Sequence, residues 1–254
     1  MIHLDRLSKS YGRQSILVSV TVTFHSHRVY GLVGPNGCGK TTLMRCICGF
    51  TRPTGGTVTV LGKVIGKDCD FAPSTGIIIE SPGFLPHYSA RRNLAILAGI
   101  SGKADKQRID DVIRLVGLDP TDQKPLGKYS LGMRQRLGIA QAIMENPSIL
   151  ILDEPFNGLD KQGVADIHAL LQSLKADGKC ILLASHSAAD IAQACDIVYE
   201  MQDGQLVDRP APPYSFSPVP PVPLRFPHCK TAVPLSFAAR WYTSSRRRQK
   251  PRKR

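Results

Sequence analysis

The chain has 254 residues, 42 % hydrophobic and 21 % charged, the balance of a globular protein with one large α/β core. No apolar run reaches the ~20 residues that span a bilayer, and Asp5 and Arg6 precede any apolar stretch, so neither a membrane span nor a secretory signal is expected. The net charge of +13 is uneven: residues 209–254 hold 11 Lys/Arg and no acid, while the rest sets 22 Lys/Arg against all 20 acids. The basic character therefore belongs to an appendage, and overall pI says nothing about the core. Seven scattered cysteines, without a CxxC pair or His/Cys clustering, exclude a zinc site and a disulfide framework and predict reduced thiols in a cytosolic compartment.

The first 80 residues or so read as short β-rich runs. Residues 18–24 alternate apolar and polar, as a half-buried strand does. Residues 29–33 form an apolar run entering a loop at Gly34 and Pro35, and 57–61 is another strand before Gly62. The middle region, about 84–146, reads as helix. One segment covers 93–98 with Ser89 as cap, a second carries Ile109, Val112, Ile113 and Val116 on one stripe, and a third opens at Ser130 and ends before Pro147. Alternation of strand and helix returns at 148–207. The unbroken apolar runs 148–152 and 180–184 predict parallel strands covered on both faces. Between them Val164, Ile167, Leu170, Leu171 and Leu174 make a helix stripe, and Asp203-Gly204 marks a closing hairpin. No internal repeat is present. Ten prolines and the run RRRQKPRKR at 246–254 set the tail apart as extended chain.

Two local patterns carry chemistry. The run GPNGCGKT at 34–41 fits GxxxxGK[ST] between a strand and a helix. Gly34, Gly37 and Gly39 let backbone wrap a phosphate closely, with Pro35, Asn36 and Cys38 at the free positions. The N–H groups through Thr42 face the anion at a helix start. Lys40 reaches the β- and γ-phosphates, and Thr41 offers a hydroxyl to Mg²⁺. The second pattern is ILILDEP at 149–155, an apolar strand ending in two carboxylates. Asp153 is placed to hold Mg²⁺, and Glu154 to polarise a water.

Together with YSLGMRQRL at 129–137, these motifs resemble the ATP-binding subunits of ABC transporters, over about residues 1–207. Composition predicts a disordered tail at 209–254, and the resemblance implies a P-loop NTPase (RecA-like) core within residues 1–208, with an antiparallel β subdomain and an inserted helical subdomain at about 84–146. It implies that Ser130 and Gly132 of the signature cover the ATP held by Lys40 of a second, head-to-tail copy. It implies further that Asp160 belongs to the D-loop, that His186 is the switch histidine sensing the γ-phosphate, and that Tyr11 stacks on adenine. Each has a plainer alternative: Ser130 and Asp160 as helix caps, His186 as a strand-end residue, Tyr11 as a surface aromatic. Glu80 stands where most members have glutamine, and Leu131 and Met133 where glycine and glutamine are commoner. Both departures resemble the bacitracin- and lantibiotic-type branch, and a carboxylate at Glu80 can ligate Mg²⁺.

The expected function is an ATPase, at the inner face of the cell membrane, that powers a separate multi-span permease exporting, or giving immunity to, a peptide antibiotic or similar amphiphile. The loop 80–86 and the helical region would form the docking surface. The alternative is a soluble ATPase acting on ribosomes or nucleic acid, which only the tail favours. For the tail itself, three readings compete: contact with an anionic membrane, sequence-independent nucleic-acid binding, or an altered reading frame with no selected role.

Overall fold

A computed structural model of the chain describes residues 1–80 and 83–209. In chain order the elements are β1 (Ile2–Tyr11), β2 (Gln14–Phe24), β3 (Arg28–Val33), α1 (Lys40–Cys48), β4 (Gly55–Val60), β5 (Lys63–Val64) and β6 (Thr75–Ile78). There follow α2 (Ala90–Ser101), α3 (Lys106–Leu115), α4 (Leu131–Met144), β7 (Ile149–Asp153), α5 (Lys161–Ala176), β8 (Cys180–Ala184), α6 (Ala188–Ala194), β9 (Ile197–Gln202) and β10 (Gln205–Arg209).

Two sheets result. The first is antiparallel, in the order β2-β1-β4-β5, and the second has the order β10-β9-β3-β8-β7-β6. In the second, every pair is parallel except the β9–β10 hairpin. Strand alternation explains the layering. Ile149, Ile151, Leu182 and Leu32 pack with α1 and the antiparallel sheet in one core, while Leu150, Leu152, Ile181 and Leu183 pack with the other helices in a second. Apolar residues on both faces make these strands continuous hydrophobic runs, as parallel strands require. β6 and β7 are neighbours in register, Thr75 opposite Ile149, so the whole helical region is the crossover between two adjacent strands.

Local signals place the helix starts. Ser89, Asp105, Ser130, Asp160 and Ser187 each accept a backbone N–H of the first turn. Several boundaries shift by a few residues, and two of the shifts have a clear cause. β2 begins at Gln14, four residues early, because Tyr11 and Gln14 pair across the turn to β1. Arg209, the first tail residue by composition, closes β10 opposite Val198, since strand pairing rather than charge decides where the sheet ends. The rest of the tail, with its membrane and nucleic-acid readings, lies outside the described residues. Among the described residues, no helix is long and apolar enough to cross a membrane.

Buried polar ties fix the strand entrances. Asp196 accepts from Val29 N and Lys175 Nζ, both at 2.8 Å. Lys179 donates to Asn146 Oδ1 at 2.7 Å and to Pro147 O, joining the turn before β8 to the turn before β7. Burial pushes the Lys179 ammonium down from 10.5 to about 8, against the pull of Asp177. The folded chain thus binds fewer protons than the unfolded one between those values, and stability contributed by this group rises with pH from about 8 to 10.5. In urea titrations across that interval, Lys179→Met should flatten the slope; an unchanged slope would contradict the assignment.

Candidate active site

The carboxyl ends of β3, β7 and β8 lie side by side in a parallel array, the edge where open α/β sheets bind ligands. β3 runs into the loop 34–41, in which Gly34, Gly37 and Gly39 have φ of 144°, 81° and 111°. Only glycine takes such backbone without strain. α1 starts at Lys40 with no side-chain cap at Gly39, so its first N–H groups are left for a ligand. Cys38 is half-buried, a small filler as its free position implies. The Lys40 ammonium, almost buried, turns into its own loop and donates to Gly34 O at 2.7 Å and Pro35 O at 3.0 Å.

Thr41 Oγ1 donates to Asp153 Oδ2 at 2.7 Å, which joins the loop to the end of β7. Burial raises the Asp153 carboxyl above the usual range. The Thr41 hydrogen bond opposes this, and the Glu154 and Glu80 charges add to it. Glu154 follows with φ 50°, in the left-handed region. Its N–H donates to Ala184 O at 2.9 Å, and its carbonyl accepts from Asn157 N at 3.2 Å and Gln135 Nε2 at 3.0 Å. Its Oε2 lies 2.9 Å from His186 Nδ1, just past β8. Lys40, Thr41, Asp153, Glu154 and His186 thus gather at one edge of the sheet.

Ser130, Gly132 and Asp160 form a second group, with no hydrogen bond to loop 34–41. Ser130 caps α4 through Met133 N at 3.2 Å, and Asp160 caps α5 through Gly163 N at 2.8 Å. A methyl on Gly132 would come within 2.6 Å of Gly158 O, so the start of α4 and the 154–160 loop are in backbone contact. Tyr11 stands apart at the end of β1, half exposed, with the Lys9 ammonium 4.7 Å from its ring centre.

Glu80 places a further carboxylate near Asp153, whose pKa its charge helps to raise. It pairs with Arg45 of α1 at 3.1 Å. Among the described residues, no cluster of three or more His, Cys, Asp or Glu stands ready for a metal ion. The partner of the Glu80 carboxylate is a guanidinium on the neighbouring helix. Sequence reasoning missed that partner and Gln135. Arg45 was detectable as the lone charge in the apolar run 43–48; Gln135 acts on a carbonyl 19 residues away and leaves no local signal.

Known proteins agree with this geometry. Residues 17–157 match the family model for ABC transporters. The uncharacterized ABC transporter ATP-binding protein YybJ of Bacillus subtilis is 44 % identical over 206 residues, covering 81 % of this chain and 94 % of that protein. Bacitracin transport ATP-binding protein BcrA of Bacillus licheniformis is 40 % identical over 82 % of this chain and 69 % of its own. Lantibiotic transport ATP-binding protein SrtF of Streptococcus pyogenes is 34 % identical over 82 % and 89 %. In fold, the chain superposes on the dimeric structure of MJ0796, a bacterial ABC transporter cassette, with a TM-score of 0.73 at 22 % identity, covering 81 % of this chain and 96 % of that one. The chain belongs to the ABC transporter family, as one of its ATP-binding ATPases.

Proposed function

We propose that this chain is the ATP-hydrolysing subunit of a transporter whose membrane part is a separate multi-span permease, and that the transporter exports, or gives immunity to, a peptide antibiotic or similar amphiphile. The observation that carries the catalytic half is the convergence of the 34–41 loop, the Thr41–Asp153 bond and the Glu154–His186 pair on one sheet edge. The names and identities of BcrA and SrtF support the transport half.

In this reading the glycine-rich loop, from Gly34 through Thr42, cradles the triphosphate, and Lys40 exchanges the carbonyls of Gly34 and Pro35 for phosphate oxygens. Thr41 and Asp153 present hard oxygen donors that fit Mg²⁺ beside the phosphates. When bound, Mg²⁺ neutralises charge on the phosphate oxygens. Glu80 joins that group only on release from Arg45. Glu154 takes the proton of the attacking water, and His186 holds its carboxylate and meets the γ-phosphate. Tyr11 offers its ring to adenine.

Ser130 and Gly132 lie at the start of α4, and their N–H groups suit an anion. As the resemblance to the family implies, they are assigned to the ATP of a second copy, head to tail. The printed description of MJ0796 as dimeric supports such pairing. ATP binding would then favour the closed pair and hydrolysis its release. Asp160 adjoins that interface. The permease would dock on the helical region beside half-exposed Leu85 and Tyr88. Buried Asn93 fixes this loop by accepting from Leu85 N at 2.8 Å and donating to Leu85 O at 3.1 Å and Ser89 O at 3.0 Å. Such a subunit sits at the cytoplasmic face of the cell membrane. The nucleic-acid alternative drew on the tail alone and gains nothing from these relatives.

Cells in which Lys40→Ala replaces the native chain should become as sensitive to bacitracin-type peptides as cells lacking the gene, read as minimal inhibitory concentration. Full tolerance of a panel of cell-envelope peptide antibiotics in the deletion strain would overturn the transport assignment and leave the ATPase intact.

A further inference from the structure

The backbone of Glu154 is held in the left-handed region, φ 50°, where a non-glycine residue needs support from its surroundings. Two of its ties are backbone bonds, to Ala184 O and from Asn157 N. The third comes from a side chain: Gln135 of α4 donates its amide to the Glu154 carbonyl at 3.0 Å. Gln135 lies three residues after Gly132, on the same helical face. Gly132 itself is in backbone contact with the 154–160 loop at Gly158, and a side chain on Gly158 would run into Leu131. The first turns of α4 and the loop carrying Glu154 therefore meet at two points, a close packing at Gly158 and a hydrogen bond at Glu154.

We propose that Gln135 is a positioning residue for hydrolysis, fastening the peptide of Glu154 to α4 so that the setting of the helix start fixes the setting of the base. This rests on the reading of Glu154 as base and of Ser130 and Gly132 as the cover for a second copy's ATP. A shift of the α4 start on meeting that triphosphate is passed through the Gln135 amide to the Glu154 carbonyl in the same chain. Gln135 acts through the Glu154 peptide, not through the carboxylate.

The test uses the full chain, with Gln135→Met, which keeps length and loses the donor, and Gln135→Asn, which keeps the amide but falls one carbon short. In steady-state ATP hydrolysis both should lower kcat about tenfold, the worth of one neutral hydrogen bond, with KM for ATP within about twofold. If Gln135→Met melts well below the native chain, Gln135→Asn carries the measurement. In a Glu154→Gln background, Gln135→Met should add no further loss and leave the ATP-held assembly unchanged. Unaltered kcat in both variants, beside an inactive Glu154→Gln chain, would overturn the role of Gln135 alone. So would an additive loss in the double variant, or a loss of ATP-dependent assembly. Normal turnover by Glu154→Gln itself would instead overturn the base assignment beneath it.

Discussion

Replacing Lys40 with alanine should weaken ATP binding by two to three orders of magnitude, about 3–4 kcal/mol. Lys40 is 8 % exposed and its ammonium makes two short bonds to the carbonyls of Gly34 and Pro35, so a positive charge is already held at the centre of the loop. Bonds from a charged donor contribute about 1.5–3 kcal/mol each, and phosphate oxygens, being charged, take them over from neutral carbonyls at a gain. Alanine removes the charge and its two bonds to the loop carbonyls. Calorimetric titration with Mg-ATP at fixed ionic strength reads the effect; an affinity within about threefold of native would contradict it. Melting temperature should change little, because the loop is held independently by the three glycine turns and by Thr41 on Asp153.

Glu154→Gln should act on a different step. ATP affinity should stay within severalfold of native while turnover falls about 10²–10³-fold, the range lost with a general base. The amide keeps the size of the side chain and its contact to His186, and the backbone ties to Ala184 and Asn157 do not depend on the carboxylate. The change is therefore confined to proton acceptance. Single-turnover hydrolysis separates this from slow product release. A rate within about threefold of native would remove Glu154 from the chemistry.

Much of this site was legible in the sequence because its chemistry is local. The phosphate loop declares itself by glycine spacing between a strand and a helix, and 149–153 by an apolar run ending in acids. The caps at Ser89, Ser130 and Asp160 also hold, since a helix start depends on few residues. At Ser130 and Asp160, the plainer alternative of capping is met within one chain and is compatible with contact to a second copy.

What stayed hidden is set by distance along the chain. β1 showed no clean alternation, because register shifts between Leu4 and Ser10 break its period. The order β2-β1-β4-β5 joins strands on either side of β3 and α1, which no local pattern encodes. The pairing of Glu80 with Arg45, 35 residues earlier on α1, was likewise not visible in the sequence. The inward turn of Lys40 could not be read either, since a motif specifies where a lysine can reach and not where it rests.

In the proposed mechanism two copies enclose the ATP, each completing the other's site. Its most direct test is the solution mass of Glu154→Gln chain with and without Mg-ATP, by light scattering or sedimentation. One chain of 27.7 kDa without nucleotide and twice that mass with it is the expected result. Ser130→Arg, placed in the same background to fill the covering surface, should return the single mass while ATP stays bound. A single mass at saturating Mg-ATP in Glu154→Gln, beside full hydrolysis by the native chain at the same dilution, would show that one protomer completes its own site.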